Sequence, residues 1–244
     1  MRSDALTGIK SNAIIARCLA LIRRARAENA LRQSRGRSRA AIFRDIYAKG
    51  QWGKRGKEFF SGLGSIGTHV GPYVGYVSEF VRTNGIEAIV DLGCGDFRVA
   101  SQIDLGRANY LGCDIVEELI ARNTASFGND KISFGSLDIV TDDLPDGDLC
   151  LVRQVFQHLS NGDILRSLVK LSAYRFVLIT DELGPASARP NLDIEAFRGT
   201  RTDFGSGLYY DQPPFNLPVE VVLDTPIMSR KGYYLRTVLL RSER

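Results

Sequence analysis

The sequence has no run of apolar residues that approaches the roughly 18–20 residues of a membrane-spanning helix. Its four cysteines form no CxxC pair, so neither a zinc site nor a disulfide framework is indicated, and we expect reduced thiols in a cytoplasmic protein. Histidine is scarce, with two residues, and no cluster of His, Asp and Glu predicts a metal site. The remaining composition is that of a globular protein, since 44% hydrophobic residues over 244 positions support a sizeable core.

Basic charge is concentrated at the beginning of the chain. Residues 1–40 contain ten Lys or Arg against two acidic residues, whereas residues 41–244 contain 22 basic and 26 acidic residues. We therefore predict a basic helical arm with its linker over 1–40 and a mildly acidic globular domain over 41–244. No nucleic-acid partner is expected for this domain, because such binders concentrate positive charge around the site.

Residues 11–33 have the spacing of an amphipathic helix, with apolar residues every three or four positions and arginines largely on other faces. Three interpretations are open for this helix. It docks on the body or on a second subunit, it lies on an anionic membrane surface at the inner face of the membrane, or it is a nucleic-acid contact or targeting segment. Residues 34–39 are expected to be a solvated linker.

From residue 86 onward, short apolar runs alternate with amphipathic segments. This order predicts a parallel sheet with helices on both faces, in which ligands bind beyond the carboxyl ends of the strands. The last two apolar runs are close enough in sequence to pair antiparallel at the sheet edge. The predicted strands are 86–91, 109–114, 131–134, 148–152, 175–180, 219–224 and 233–240, and the predicted helices are 70–84, 97–103, 116–126 and 161–171.

The stretch from Ile89 to Phe97, IVDLGCGDF, has the pattern of a buried strand that runs into a glycine turn. Gly93 and Gly95 allow the backbone to approach a ligand closely, and Asp114 ends the next strand, where a carboxylate can bind the two hydroxyls of a ribose. The third glycine of the dinucleotide fingerprint is replaced by Arg98. The pattern therefore predicts a nucleoside cofactor other than NAD or FAD.

A second glycine-rich segment covers residues 61–67, SGLGSIG. No strand precedes it and no Gly-Lys-Ser/Thr ends it, so it is not a phosphate loop of nucleoside triphosphatases. It is either a flexible connection or a lid whose backbone lies over the cofactor.

With these motifs, the sequence resembles the class I S-adenosylmethionine-dependent methyltransferases over about residues 40–240. The resemblance implies an α/β fold with a three-layer, Rossmann-like sheet of seven strands, mostly parallel with strand seven antiparallel, here with an N-terminal helical extension. It also implies S-adenosyl-L-methionine as cofactor, with its methionine part at the glycine turn, its ribose at the second strand and its adenine at the third. The implied cofactor-binding residues are Asp91, Gly93, Gly95, Asp114, Ile115, Asp138, Ile139, Arg153 and Ser65.

A narrower resemblance links the chain to a bacterial methyltransferase group associated with polysaccharide or small-metabolite pathways. The motifs that carry it include Ser61-Gly62-x-Gly64-Ser65, Gln157-His158-Leu159-Ser160 and the segment 213–218, PPFNLP. It implies a small-molecule or saccharide acceptor that is methylated on oxygen. In that group an acid often stands at the position of Gln154, so this chain lacks a potential base there.

Methyl transfer from a sulfonium mainly requires alignment of the acceptor and exclusion of water, and an oxygen acceptor also requires a base. His158 suits that role through its ordinary pKa of about 6.5, or it bonds backbone and shapes the pocket. Asp181 is the second predicted catalytic residue, and with Glu182 it either contacts the acceptor or serves as a helix cap or surface group. Three aromatic residues either form the floor of the acceptor site or pack in the core: Trp52, Tyr209 and Tyr210.

Two alternative functions remain open at this point. One is methylation of RNA or protein. The other is a catalytically silent S-adenosylmethionine-binding module that acts through partners, with the basic arm as its interaction element.

Overall fold

The computed structural model describes residues 3–53, 59–185 and 189–242, with side chains from Cys18 onward. Seven strands within these residues form one sheet, in the order β3-β2-β1-β4-β5-β7-β6. Strands β1 to β5 run parallel, and β7 lies antiparallel between β5 and β6. The strands are β1 Ala88–Leu92, β2 Asn109–Asp114, β3 Ile132–Ser136, β4 Leu149–Arg153, β5 Phe176–Leu183, β6 Glu220–Pro226 and β7 Tyr234–Arg241.

Helices cover both faces of this sheet. Side chains alternate along β1, so that Val90 and Leu92 face one apolar layer and Ile89 faces the other. Burial on both faces explains why the central strands are continuous apolar runs. The helices are α1 Ser3–Ser34, α2 Arg39–Ala48, α3 Val70–Thr83, α4 Glu117–Phe127 and α5 Asn161–Leu171.

The predicted α/β class, the mostly parallel seven-stranded sheet and the antiparallel seventh strand are confirmed. The strand order reverses beside β1, since β2 and β4 lie on opposite sides of it. Such a reversal opens a crevice at the carboxyl ends of β1 and β4, where ligands of open α/β sheets bind.

The prediction of a helix over 97–103 is wrong. The structure has turns there and a short 3-10 helix, Ala100–Gln102. Phe97 takes a left-handed conformation with φ 62°, and the carboxylate of Asp96 accepts a hydrogen bond from the backbone N–H of Arg98 at 3.2 Å. Such local side-chain bonds stabilise turns in competition with a helix.

The prediction of a solvated linker over 34–39 is also too long. Helix α1 continues to Ser34, which is buried, and α2 begins at Arg39. Ser38 caps α2 by accepting a hydrogen bond from the N–H of Ala41 at 3.3 Å.

The C-terminal half of α1 packs against the body. Ala27 and Ala30 are buried in a small apolar cluster with Ile194 and Phe197. Earlier in the same helix, a group of large apolar side chains is exposed: Leu19, Leu21 and Ile22. Among the described helices, none is long and apolar enough to cross a membrane.

Candidate active site

A cavity of about 420 Å³ lies at the carboxyl ends of β1, β2 and β4. Its size is typical of sites for small molecules and cofactors. The predicted site residues converge on it, with Asp181 as the exception. The lining includes Ser65, Asp91, Gly93, Gly95, Asp114, Ile115, Asp138, Ile139, Arg153 and His158.

The glycine turn after β1 requires both of its glycines. Gly93 and Gly95 have φ of 84° and 57°, in the left-handed region that favours glycine. A Cβ on Gly93 would lie 2.2 Å from Val155 Cγ2, and a Cβ on Gly95 would lie 2.4 Å from Ser61 Oγ. The turn therefore presents bare backbone to the cavity.

Two buried carboxylates flank this turn. Asp114 accepts hydrogen bonds from the N–H groups of Gly95 and Val116, each at 3.1 Å. Asp91 accepts one from Tyr110 Oη at 2.7 Å. Burial raises the pKa of each carboxyl to about 6, so both are mainly ionised at neutral pH.

The glycine-rich segment is docked on the turn and forms one wall of the cavity. Ser61 donates its N–H to Asp96 Oδ2 at 3.2 Å, and its Oγ accepts the N–H of Asp96 at 2.7 Å. The carbonyl of Gly64 accepts hydrogen bonds from Arg153 Nη2 at 2.8 Å and Gln154 Nε2 at 3.3 Å. These contacts favour the lid over the flexible connection.

Ser65 and Arg153 both line the cavity, but their side chains make different contacts. The hydroxyl of Ser65 donates to the Gly62 carbonyl at 2.7 Å and thus shapes the lid itself. The Arg153 guanidinium lies 5.0 Å from the Tyr73 ring centroid, and burial lowers its pKa. Its Nη1 makes no hydrogen bond to described residues, its Nε is buried without a partner among them, and the side chain lines the cavity, so the guanidinium can meet an anion there.

Asp138 is held by Arg39, a residue within the predicted arm over 1–40. Arg39 donates to Asp138 Oδ2 from Nη2 at 2.8 Å and to Asp163 Oδ1 from Nη1 at 3.2 Å. Asp138 Oδ1 also accepts the N–H of Val140 at 2.9 Å. The part of the cavity that Asp138 lines is thereby tied to the first residue of α2.

His158 is a buried, neutral part of the cavity wall. Its Nδ1 donates to the Gly199 carbonyl at 2.7 Å, and its Nε2 lies 3.3 Å from the side-chain nitrogen of Gln157. Gln157 accepts the N–H of Glu182 through Oε1 at 2.9 Å, which leaves its NH₂ group to donate to His158. Burial lowers the pKa of His158 to about 4. The lone pair on its Nε2 already accepts a hydrogen bond from the Gln157 side chain. These features argue against a general base at His158.

The two acids at the end of β5 point in opposite directions. Asp181 is buried, and it accepts hydrogen bonds from the N–H of Gln157 at 3.1 Å and from Tyr210 Oη at 2.6 Å. It does not line the cavity, whereas Glu182 does. Glu182 Oε1 accepts from Thr202 Oγ1 at 2.5 Å and from Arg230 Nη1. Of the two acids that the sequence offered at this strand end, Glu182 lines the cavity and Asp181 does not.

The aromatic candidates also separate. Trp52 lines the cavity, and its ring centroid lies 5.3 Å from that of His158. Tyr209 and Tyr210 lie outside it, and Tyr210 is a buried partner of Asp181. Within the described ranges, no group of three or more His, Cys, Asp or Glu residues is arranged to hold a metal ion.

No family model and no curated protein sequence matches the chain significantly. Solved structures do match its fold. Magnesium protoporphyrin IX methyltransferase (ChlM) from Synechocystis PCC 6803 with bound SAM has a TM-score of 0.55 at 15% identity, over 86% of this chain and 99% of that one. Human N-acetylserotonin methyltransferase in complex with SAM has a TM-score of 0.52 at 16% identity, over 89% and 65%. The N-terminal domain of EvdMO1, in the presence of SAH and D-fucose, has a TM-score of 0.51 at 12% identity, over 82% and 97%.

The chain has the fold of these methyltransferases.

In this methyltransferase fold, several residues that complete the cavity were not found from the sequence. Phe43, Thr200 and Arg230 line it together with Arg39. Asp181 and Glu182 were both candidates from the sequence, and strand alternation separates them, because neighbours on a strand point to opposite faces. For the others no local pattern exists, since each reaches the cavity from a distant loop or from α2.

Proposed function

We propose that this protein is an S-adenosylmethionine-dependent methyltransferase that acts on oxygen of a small molecule or saccharide. The observation that carries the proposal is the bare-backbone turn at Gly93 and Gly95, hydrogen-bonded to the carboxylate of Asp114, at the switch point of a methyltransferase fold. Solved structures with this fold contain SAM or SAH, which supports the same cofactor here.

The residues present fit this cofactor. The glycine turn brings bare backbone to the cavity, where the methionine part would lie. Asp114 would bind the ribose hydroxyls as an ionised acceptor. Arg153 Nη1 would bind the methionine carboxylate, and the apolar side chains of Ile115 and Ile139 would pack on the adenine.

The bound cofactor supplies a methyl group already activated by a sulfonium. The chain then has to hold the acceptor in line with that methyl group and exclude water. The lid over residues 61–65 and the wall around His158 line the cavity beside the ends of β4 and β5, where the acceptor would lie.

The acceptor class is part of the proposal. The mildly acidic body disfavours RNA, and the enclosed cavity favours a small molecule over a protein surface. EvdMO1, which shares the fold, was crystallised in the presence of D-fucose, and this supports the saccharide option.

We further propose a cytoplasmic location, with the exposed apolar side chains of α1 as a contact surface for a membrane or a second copy of the chain. Leu19, Leu21 and Ile22 are exposed next to the arginines at 23, 24 and 26. This combination suits an anionic membrane surface, and it equally suits a second copy of the helix.

Calorimetric titration of the full chain with S-adenosylhomocysteine tests the cofactor site. We expect Asp114→Ala to weaken binding by about 100-fold, because it removes a charged hydrogen-bond acceptor worth roughly 1.5–3 kcal/mol. Asp130→Ala changes an exposed acid after α4 and is the matched control, with unchanged affinity. Wild-type affinity in the Asp114 variant would exclude the assignment. Binding without turnover on any acceptor would favour the silent module.

A further inference from the structure

Glu182 is the carboxylate that the fold offers to the acceptor. Its Oε1 is occupied by Thr202 and Arg230, so the side chain is fixed and its charge is balanced by one guanidinium. Its Oε2 makes no hydrogen bond to described residues, and the Glu182 side chain is 13% exposed. Because Glu182 lines the cavity, this oxygen is available to a donor on a bound molecule.

A continuous wall connects this carboxylate to an aromatic face. Gln157 bonds the backbone of Glu182 on one side and His158 on the other. The ring of His158 lies against Trp52 with an interplanar angle of 36°. Trp52 itself is fixed, since its Nε1 donates to the Arg198 carbonyl at 2.8 Å. The wall therefore begins with an apolar ring face and ends with a hydrogen-bond acceptor.

From this wall we infer that Glu182 accepts the proton of the reacting group, and that the acceptor is a hydroxyl-bearing ring, of the sugar class, seated against Trp52. An acceptor whose reacting group is already a carboxylate would face Glu182 with like charge and would bring no proton to it. A hydroxyl group donates to Oε2 in the ground state, and the ring's C–H face packs on the indole. The inference rests on the function proposed above.

The proposed step balances with the groups present. The hydroxyl oxygen forms a bond to the methyl carbon while the carbon–sulfur bond breaks, and its electron pair goes to the sulfur, which leaves as a neutral thioether. The hydroxyl proton passes to Glu182 Oε2 and then to solvent. Thr202 and Arg230 hold the Glu182 carboxylate in a fixed orientation beforehand.

The chain carries its own reporter for the test, because Trp52 is its only tryptophan. The full chain, saturated with S-adenosylhomocysteine, is titrated with D-glucose, D-galactose, D-fucose and their nucleoside-diphosphate conjugates, and with p-nitrophenol, benzoate and benzylamine. We expect a saturable fluorescence change with at least one sugar and none with benzoate or benzylamine. Responses confined to the non-sugar compounds, or to none of the probes, would overturn the inference.

Turnover with the responding sugar and S-adenosylmethionine then tests Glu182 itself. We expect Glu182→Gln to lower the rate by roughly 10²–10⁴-fold while cofactor affinity is kept. Glu117→Gln, on the exposed start of α4, is the matched control. A normal rate in the Glu182 variant would disprove its role as base.

Two safeguards keep the outcomes distinct. If Glu182→Gln does not fold, Thr202→Val is used instead, because it keeps the charge of Glu182 and removes one of the two donors to Oε1. We expect Thr202→Val to lower the rate by about tenfold. An unchanged rate in this variant counts against the inference. If the wild-type chain does not bind S-adenosylhomocysteine, the proposed function is refuted. If it binds S-adenosylhomocysteine but responds to no sugar, the inference about the acceptor is refuted and the proposed cofactor site is not.

Discussion

At the residue scale, Asp181 and Glu182 show how one step along a strand changes the environment of a carboxyl. Both follow the same apolar run, and sequence alone assigned them to the same side of the sheet. Asp181 is 3% exposed and holds Tyr210 and the backbone of Gln157, so it supports the wall from behind. The sequence predicts that an acid stands at this strand end, but the register that selects Glu182 follows only from the packing.

Asp181 gives a pH-dependent prediction. Burial raises its pKa to about 7, whereas an unfolded Asp titrates near 3.9. Between these values the folded chain keeps a proton that the unfolded chain has released, so this group lowers the free energy of unfolding as pH rises. Between about pH 4 and pH 7, we expect the free energy of unfolding of Asp181→Asn to rise by roughly 1–4 kcal/mol relative to wild type. Above pH 8 we expect no further change in this difference. Urea unfolding at three pH values measures it, and a pH-independent difference would contradict the cause.

Gly64 gives a second prediction at this scale. A Cβ there would lie 2.0 Å from Gln154 Oε1, so Gly64→Ala displaces the Gln154 side chain from the lid. We expect S-adenosylhomocysteine to bind about 5–10-fold more weakly in calorimetry, with the melting temperature nearly unchanged, because the clash involves a movable side-chain end. Gly75→Ala is the control, since a Cβ on this α3 residue meets nothing within 4 Å. Equal affinities for the two variants would show that the Gly64–Gln154 contact does not matter for cofactor binding.

At the element scale, periodicity predicted the strands and most helices, since the apolar runs of β1, β4 and β5 are long and uninterrupted. It failed at 97–103 because a local bond of Asp96 and the left-handed Phe97 are not visible as a pattern. It also divided the chain near residue 40, although α1 already packs on the body through Ala27 and Ala30. The boundary between arm and body remains a prediction.

This packing leads to a truncation experiment. Deletion of residues 1–22 removes the exposed part of α1, and we expect the melting temperature and the affinity for S-adenosylhomocysteine to stay at wild-type values. Deletion of residues 1–38 also removes Ala27, Ala30 and the cap at Ser38, which together contribute about 2–4 kcal/mol. We expect a clear drop in the melting temperature. Identical melting curves for the two truncations would show that α1 does not stabilise the body.

At the scale of the whole molecule, the strand order and the end of the sheet that bears the site follow from the alternation of elements. The set of residues that line the cavity does not follow from this alternation. It joins α2, the lid, the turns after β1 and β4, the end of β5 and the loop before β7, and the bond from Trp52 to Arg198 alone spans 146 residues. Convergence over such distances depends on tertiary packing, which leaves no local pattern.

Because the cofactor would contact several of these elements at once, its binding should stabilise the entire fold. At a ligand concentration of about 100 times Kd, linkage gives about 2.7 kcal/mol. For a chain of this size that corresponds to a melting temperature higher by about 5–10 °C. Differential scanning fluorimetry with S-adenosylhomocysteine measures the shift, and NADH serves as the control ligand. An equal shift with NADH would point to a dinucleotide site instead.

The contact between Arg39 and Asp138 has a consequence for the arm. Arg39 begins α2, with four residues between it and the end of α1, and it fixes the Asp138 carboxylate in the cavity wall. By thermodynamic reciprocity, a partner of α1 that shifts this pair changes the cofactor affinity by some factor, and the cofactor changes the partner's affinity by the same factor. Binding of the cofactor in the cavity and binding of a partner to α1 would then be thermodynamically coupled.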